Sequence, residues 1–148
     1  MSIAVRSTKT TWEGPLASGT GTFSDSSSGV LDGQTVTWAA RTEAPGGKTS
    51  PEELAAAAHS SCYSMALSLT LGENKTPADR VSVEAAVTLD EVDGVPTVTT
   101  SALTVRAVVP GLDEAGFAKV VEDASALCPI SRLFAGATIT VDAALETA

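Results

Sequence analysis

The sequence predicts an α+β fold of about six strands and two principal helices, and three patterns support this prediction. Residues 80–109 alternate apolar and polar side chains on both sides of Asp93-Gly94, which is typical of a β-hairpin. Residues 51–72 and the stretch from Asp113 onward each carry apolar side chains at helical spacing. With 148 residues, of which 43% are hydrophobic, the chain is expected to form one domain over residues 1–148.

The first part of the chain is predicted to contain short strands joined by turns. Residues 14–35 are rich in Gly, Ser and Thr, but Phe23, Val30 and Leu31 interrupt them, so they fit strands and turns better than a disordered tail. The next segment, QTVTWAARTEA (residues 34–44), is predicted to be a strand that carries Arg41 near its end. The loop APGGKTS follows it.

A long central helix is predicted over residues 51–72. Ser50 is a suitable N-cap with Glu53 three positions later, Pro51 stands at the first helical position, and Gly72 is a natural stop. Side chains at spacings of three and four predict one buried stripe along this helix. The stripe consists of Leu54, Ala58, Cys62, Met65 and Leu69.

The second main helix is predicted to begin near Asp113. Its apolar face consists of Phe117, Val120, Val121, Ala124 and Cys128. Pro129 is expected to end this helix or to open a new short one, PISRLF. The last predicted strand is ATITVDAAL, residues 137–145.

Composition excludes several classes of function. The net charge of −9 argues against nucleic-acid binding and against binding to an anionic membrane surface. No run is apolar enough to span a bilayer, and the start, MSIAVRSTKTTWEG, lacks the apolar core of a secretory signal, so a cytoplasmic location with reduced thiols is expected. Two cysteines are too few for a disulfide scaffold or a Cys₄ zinc site, so any disulfide between them is expected to be transient.

The two cysteines, Cys62 and Cys128, fall on the apolar faces of the two predicted helices. One interpretation is that both are small core residues, because free cysteine is commonly buried. The alternative is that the helices pack together and bring the sulfurs close enough to bridge, which needs Cα atoms within roughly 7 Å of each other. Periodicity alone leaves both interpretations open.

A reactive cysteine needs a lowered pKa, and three local groups are candidates to supply it. His59 lies one turn before Cys62, although a single histidine near an apolar face is more commonly a hydrogen-bonded structural residue. Arg41 is a permanent cation, although most arginines are solvated at the surface. The third is a helix N-terminus: Cys128 is an expected N-cap before Pro129, so local electrostatics alone favours Cys128 as the nucleophile.

The segments PEELAAAAHSSCYSMALS and LCPISRL together resemble the OsmC/Ohr family of thiol-dependent hydroperoxide reductases. The likeness also covers TWEG, SGTGTFS, GVL and VPGLDEAGFAKVVEDASALCP, which favour the osmotically-inducible-protein-C branch over the organic-hydroperoxide-resistance branch. The resemblance implies an OsmC-like fold that assembles as an intertwined homodimer with active sites at the interface.

The resemblance also implies the roles of four residues. Cys62 attacks the peroxide, Cys128 resolves the sulfenic acid into a disulfide, and Arg41, on an early strand, and Glu52 flank the reactive thiol. An external dithiol, of lipoyl type or another thiol system, would reopen the disulfide, with no metal or flavin cofactor. The apolar stripe around Cys62 favours organic hydroperoxides with alkyl tails over hydrogen peroxide.

The spacing of these residues sets a geometric constraint. In an unbroken helix Glu52 and Cys62 are separated by a rise of about 15 Å and by roughly 80° around the axis. Either the helix starts well after Glu52, or Arg41 and Glu52 serve the sulfur of a partner subunit.

Three other functions stay open from the sequence. The chain is alternatively a non-catalytic dimeric domain that binds a small apolar ligand, with both cysteines as packing. It is alternatively a Cys–His hydrolase that uses Cys62 and His59. A metal site built from His59, Cys62, Cys128 and a carboxylate is the third, and its spacing is a weak signal.

Overall fold

The computed structural model describes residues 1–147, which contain six strands in two three-stranded sheets and four helices. The predicted α+β class is therefore confirmed. The chain divides into two compact units with the boundary after Leu54. None of the helices within residues 1–147 has the length and apolar character that crossing a membrane would require.

The first unit contains an antiparallel sheet in the order β1-β2-β3 and a short helix. Its elements are β1 (Lys9–Glu13), β2 (Thr20–Ser24), β3 (Thr35–Val36) and α1 (Trp38–Thr42). Gly21 on β2 lets the neighbouring side chains pack closely, because a Cβ there would lie 2.7 Å from Val36 Cγ2 and 3.0 Å from Trp12 Cε3.

The position of Arg41 differs from the prediction. The segment 34–44 is not one strand, since β3 ends at Val36 and Arg41 lies in the last turn of α1. Thr37 is extended and its Oγ1 accepts a hydrogen bond from Ala40 N at 3.1 Å, which caps the helix. The good helix formers Ala39, Ala40 and Arg41 then continue it, so cap chemistry overrides the strand propensity of the preceding residues.

The long central helix, α2, spans Pro51–Glu73. Its predicted start is confirmed, because Glu53 N donates to Ser50 Oγ at 3.1 Å and Pro51 is the first helical residue. Its predicted end is slightly wrong. The helix runs through Gly72, and the left-handed residue after it is Lys75, with φ 61°, while Thr76 N donates to Leu71 O at 3.0 Å.

The buried face of α2 also differs from the predicted stripe. The buried side chains are His59, Tyr63, Ala66, Leu67, Thr70 and Leu71. Met65 and Leu69, which the stripe placed in the core, are 67% and 56% exposed, and Cys62 is half-buried. Because α2 carries apolar or small side chains on both faces, periodicity selected a face rotated from the one that packs.

The second unit packs α2 and a further helix around a second sheet. The elements after α2 are β4 (Arg80–Val92), β5 (Val95–Val108), α3 (Glu114–Leu127), α4 (Pro129–Leu133) and β6 (Thr138–Leu145). The predicted hairpin is confirmed, since β4 pairs antiparallel with β5 through a turn with Asp93 at φ 52° and Gly94 at φ 78°. β6 lies parallel to β5 on its other side.

Three elements supply the core of the second unit. Tyr63, Leu67 and Leu71 from α2 pack in one cluster with residues of β5 and α3. The β5 and α3 members include Leu103, Val105, Phe117, Val120 and Ala124. The predicted start of α3 near Asp113 is confirmed, and Asp113 is its N-cap, because Asp113 Oδ1 accepts a hydrogen bond from Gly116 N at 2.8 Å. This packing fixes the two helix segments that carry the cysteines.

Candidate active site

Arg41 and Glu52 form a forked ion pair in the first unit. Arg41 Nε donates to both carboxylate oxygens, at 3.0 and 3.1 Å, and Nη2 donates to Oε1 at 2.7 Å. The side chains are 29% and 12% exposed, so the pair is partly shielded from water. Glu52 therefore fixes the guanidinium in one orientation.

The guanidinium of Arg41 borders a small apolar pocket. The Trp38 ring centroid lies 5.9 Å from Cζ. The pocket has a volume of about 110 Å³ and its lining comprises Trp12, Leu16, Val36, Thr37, Trp38, Pro51 and Arg41. Among residues 1–147 no protein acceptor takes a hydrogen bond from Nη1, so this nitrogen is open to a ligand or a partner chain.

Cys62 and Cys128 lie against each other in the second unit, and neither is in a disulfide. Cys62 is half-buried on α2, whereas Cys128 is fully buried at the junction of α3 and α4. Two thiols that are far apart in the sequence are therefore neighbours in the fold.

The surroundings of the two thiols give them different acidities. Burial raises the pKa of Cys62, and the hydrogen bond and negative charge of Cys128 raise it further, although the Ile130 N–H opposes them. Burial also acts to raise the pKa of Cys128, but hydrogen bonds from the Ser131 side chain and N–H, the Cys62 thiol and the Ile130 N–H outweigh it and lower that pKa. In the single chain Cys128 is thus the more acidic thiol, as local electrostatics predicted.

Cys128 caps the short helix α4. It precedes Pro129 at the first helical position, and its Sγ accepts a hydrogen bond from Ser131 N at 3.5 Å. The predicted N-cap position is confirmed. The helix N-terminus thus supplies part of the stabilisation of the Cys128 thiolate.

His59 does not pair with Cys62 but is a hydrogen-bonded structural residue, the more common of the two roles considered from the sequence. The ring is fully buried, with Nδ1 2.7 Å from Ser101 Oγ and Nε2 2.8 Å from Ser131 Oγ. Burial lowers the pKa of His59, and the ring makes an edge contact with Phe134 at 5.2 Å between centroids. With both nitrogens occupied, His59 is unsuited to be the base of a Cys–His hydrolase.

Sequence patterns contain little signal for the two serines that contact His59. Ser131 stands three residues after Cys128, the position from which a residue contacts an N-cap side chain. Ser101 lies on β5 with no local signal, and its pairing with His59 follows only from the packing of α2 on the sheet.

Two further alternatives from the sequence fail against the structure. Within residues 1–147 no three His, Cys, Asp or Glu side chains are arranged to hold a metal ion, so the metal site suggested for His59, Cys62 and Cys128 is not formed. The helix α2 begins at Pro51, so the alternative in which it starts well after Glu52 is wrong.

Known proteins match this chain over most of its length. The family model described as OsmC-like protein matches residues 44–143. The chain is 42% identical to Peroxiredoxin OsmC of Escherichia coli K12 over 136 residues, which cover 92% of this chain and 93% of that protein.

Solved structures share the fold. The organic hydroperoxide resistance protein OhrB of Bacillus subtilis aligns with a TM-score of 0.66 and 28% identity, covering 95% of this chain and 98% of that one. An OsmC protein of Legionella pneumophila aligns with a TM-score of 0.70 and 22% identity over 99% of both chains.

The chain therefore belongs to the OsmC-like protein family. Its 42% identity to Peroxiredoxin OsmC over most of both chains agrees with the predicted OsmC branch. The matched region contains Glu52, Cys62 and Cys128, whereas Arg41 lies just before it.

Proposed function

We propose that this protein is a thiol-dependent peroxidase that reduces organic hydroperoxides, and hydrogen peroxide less well, through Cys62 and Cys128. The observation that carries the proposal is the contact between the two cysteines of the chain, one partly buried and one fully buried. The names of its relatives, a peroxiredoxin and an organic hydroperoxide resistance protein, support the same activity.

The first step oxidises Cys62. Its thiolate attacks the distal oxygen of the hydroperoxide, the O–O bond breaks, and the released alkoxide takes a proton to leave as an alcohol. Cys62 becomes a sulfenic acid. Cys62 is suited to this step because it is the more exposed of the two sulfurs, so a substrate can reach it.

The second step forms a disulfide, and the third reverses it. The Cys128 sulfur attacks the sulfenic sulfur of Cys62, and the hydroxyl group leaves as water after taking the proton of the Cys128 thiol. An external dithiol, of lipoyl type or another thiol system, then returns two electrons and restores both thiols. The reducing conditions of the cytoplasm suit this cycle.

Arg41 and Glu52 supply the missing activation of Cys62. In the single chain burial raises the pKa of Cys62. A cation therefore has to approach the sulfur before Cys62 can act as a thiolate. The guanidinium of Arg41 keeps Nη1 open while Glu52 holds the rest of the fork. This group would stabilise the thiolate and polarise the O–O bond.

The protein is proposed to act as a homodimer in which Arg41 and Glu52 of one subunit serve Cys62 of the other. The exposed apolar side chains Met65 and Leu69 lie on α2, the helix that carries Cys62, and such side chains are commonly covered by a partner. A partner that covers them would also exclude water from the sulfur and favour alkyl peroxides.

Complementation tests the shared site. In a purified mixed dimer of Arg41→Gln and Cys62→Ser chains, one site keeps both residues, so activity should return to about half that of the wild type. Each variant alone should be nearly inactive. A mixed dimer as inactive as its parents would contradict the shared arrangement. Mixing Arg41→Gln with Glu52→Gln is the matched control, because both residues come from the same subunit and no complete site forms.

Thiol counting tests the proposed activity. One equivalent of cumene hydroperoxide should consume two thiols per chain and release one cumyl alcohol, and dithiothreitol should restore both thiols. Cys62→Ser should abolish the loss. If the thiols survive treatment with several hydroperoxides, the peroxidase proposal fails.

The rival function is a non-catalytic domain that binds a small apolar ligand. The apolar pocket beside Trp12 and Trp38 favours it, since the walls are largely hydrocarbon and the volume of about 110 Å³ would hold a small group. Under that alternative, hydroperoxides leave the thiols intact and apolar compounds quench the tryptophan fluorescence.

A further inference from the structure

Three side chains form a row of hydrogen bonds that ends at Ser131, the residue whose N–H bonds the sulfur of Cys128. Ser101 Oγ lies 2.7 Å from His59 Nδ1, and His59 Nε2 lies 2.8 Å from Ser131 Oγ. Ser131 N donates to Cys128 Sγ at 3.5 Å, and the Ser131 side chain is among the groups that lower the pKa of Cys128. Ser101 and His59 are fully buried. The peroxide chemistry proposed for Cys62 makes no use of these hydrogen bonds.

The donor and acceptor in each of these hydrogen bonds depend on the tautomer of His59. The ring is neutral because burial lowers its pKa, so one nitrogen donates and the other accepts. If Nε2 carries the proton, it donates to Ser131 Oγ, and the Ser131 O–H is free to donate to Cys128 while the Ser101 O–H donates to Nδ1. The other tautomer would take the Ser131 proton for itself. Only the first arrangement stabilises a thiolate at Cys128.

The two sulfurs also differ in accessibility. Cys128 is fully buried, whereas Cys62 is only partly buried, so an external thiol can reach Cys62 more easily than Cys128. In thiol–disulfide exchange the sulfur with the lower pKa is the better leaving group. The accessibility of Cys62 and the leaving-group quality of Cys128 therefore both favour attack of the external thiol on the sulfur of Cys62.

We propose that Ser101 and His59 orient the Ser131 hydroxyl toward Cys128, which makes Cys128 the leaving group and directs the reducing dithiol to the sulfur of Cys62. This proposal rests on the two-cysteine cycle proposed above. Ser131 contacts the reacting sulfur. His59 acts through Ser131 and is a positioning residue.

The reduction then proceeds in two exchanges. A thiolate of the dithiol attacks Cys62 Sγ, the Cys62–Cys128 bond breaks, and Cys128 leaves as a thiolate that accepts the Ser131 hydrogen bond. The second thiol of the reductant, as a thiolate, attacks the reductant sulfur of the mixed disulfide and expels Cys62 as a thiolate. Two electrons pass to the protein, and the two protons of the dithiol go to solvent or to the released thiolates.

The pKa of Cys128 can be measured without any peroxide, and it tests whether His59 and Ser131 stabilise the Cys128 thiolate. Cys62→Ser leaves Cys128 as the only cysteine, so its titration can be followed by the ultraviolet absorbance of the thiolate. In this background Ser131→Ala and His59→Leu should lower the thiolate fraction roughly 10-fold at a given pH, the loss expected for one hydrogen bond to a charged group. His59→Gln should restore it, because the amide nitrogen can donate to Ser131.

The rate at which a thiol reduces the Cys62–Cys128 disulfide tests whether Cys128 is the leaving group. The disulfide can be made with diamide, which does not depend on peroxidase activity. Ser131→Ala and His59→Leu should then slow reduction by dithiothreitol roughly 10-fold, since the leaving thiolate is less stable. A monothiol added to the disulfide form should give a mixed disulfide at Cys62, identified by peptide mapping. Ser125→Ala is the matched control, because Ser125 bonds Tyr63 and Val121 O and not Cys128.

Two results would overturn the proposal. One is an unchanged titration and reopening rate in Ser131→Ala, which keeps His59 and so avoids a defect in the buried core. The other is a mixed disulfide at Cys128. If these variants change the titration of Cys128 but hydroperoxides leave the wild-type thiols unoxidised, the role of Ser131 and His59 is supported. The peroxidase cycle is then refuted.

Discussion

At the scale of single residues, His59 shows how packing decides a role that sequence leaves open. A histidine one turn before a cysteine fits a catalytic pair as well as a structural residue. The side chains that settle the matter, Ser101 and Ser131, come from β5 and α4. Contacts between such distant parts of the chain leave no local pattern, so the sequence could not select between the two.

The burial of His59 predicts acid sensitivity. The folded chain keeps the ring neutral because its pKa is lowered, and its neighbours Ser101, Ser131 and Phe134 carry no charge. As the pH falls below about 6.5 His59 is protonated more readily in the unfolded chain than in the folded chain, so the free energy of unfolding decreases. The expected loss from this group is at most about 1.4 kcal/mol at about pH 5.5.

Urea denaturation at about pH 7.5 and about pH 5.5 measures this effect. The stability difference between the two pH values should be smaller in His59→Gln than in the wild type, because glutamine does not titrate. Equal differences in the two proteins would mean that His59 ionises alike in the folded and unfolded chains.

At the scale of elements, long periodic segments were predictable and short ones were not. The β4–β5 hairpin, α2 and α3 follow from repeated patterns and from clear caps and turns. The helix α1 has five residues, too few to show a repeat, and its cap Thr37 also suits a strand. As a result, the sequence identified Arg41 through a resemblance but placed it on the wrong kind of element.

The hydrogen bond that caps α1 is expected to affect peroxidase activity as well as stability. Thr37→Ala removes the bond from Ala40 N and should cost about 1 kcal/mol of stability. It should also lower kcat/KM for cumene hydroperoxide, because α1 carries the Arg41 guanidinium. Thr37→Ser should restore both, since it keeps the hydroxyl.

Asp113→Ala, which removes the cap of α3, is the matched control for a general loss of stability. It should destabilise the protein to a similar degree with a much smaller loss of activity. A Thr37→Ala protein that is less stable but fully active would show that Arg41 does not depend on this cap.

At the scale of the whole molecule, the sequence predicted the fold class and the family better than the faces of its helices. The motifs around Cys62 and Cys128 identify the family because their spacing is specific. The buried face of α2 was misassigned because Met65 and Leu69 are as apolar as the core residues, yet they are exposed in the single chain. Side chains that suit a partner surface have the same pattern as side chains that suit a core, so the sequence of one subunit does not separate them.

Intact mass spectrometry after treatment with one equivalent of cumene hydroperoxide shows whether a peroxide converts Cys62 and Cys128 into a disulfide. The wild-type chain should lose about 2 Da as the Cys62–Cys128 disulfide forms, and Cys128→Ser should gain about 16 Da as a sulfenic acid stays on Cys62. Cys62→Ser should keep its mass. An unchanged wild-type mass, or oxidation that persists in Cys62→Ser at the wild-type rate, would contradict a peroxidase cycle that begins at Cys62.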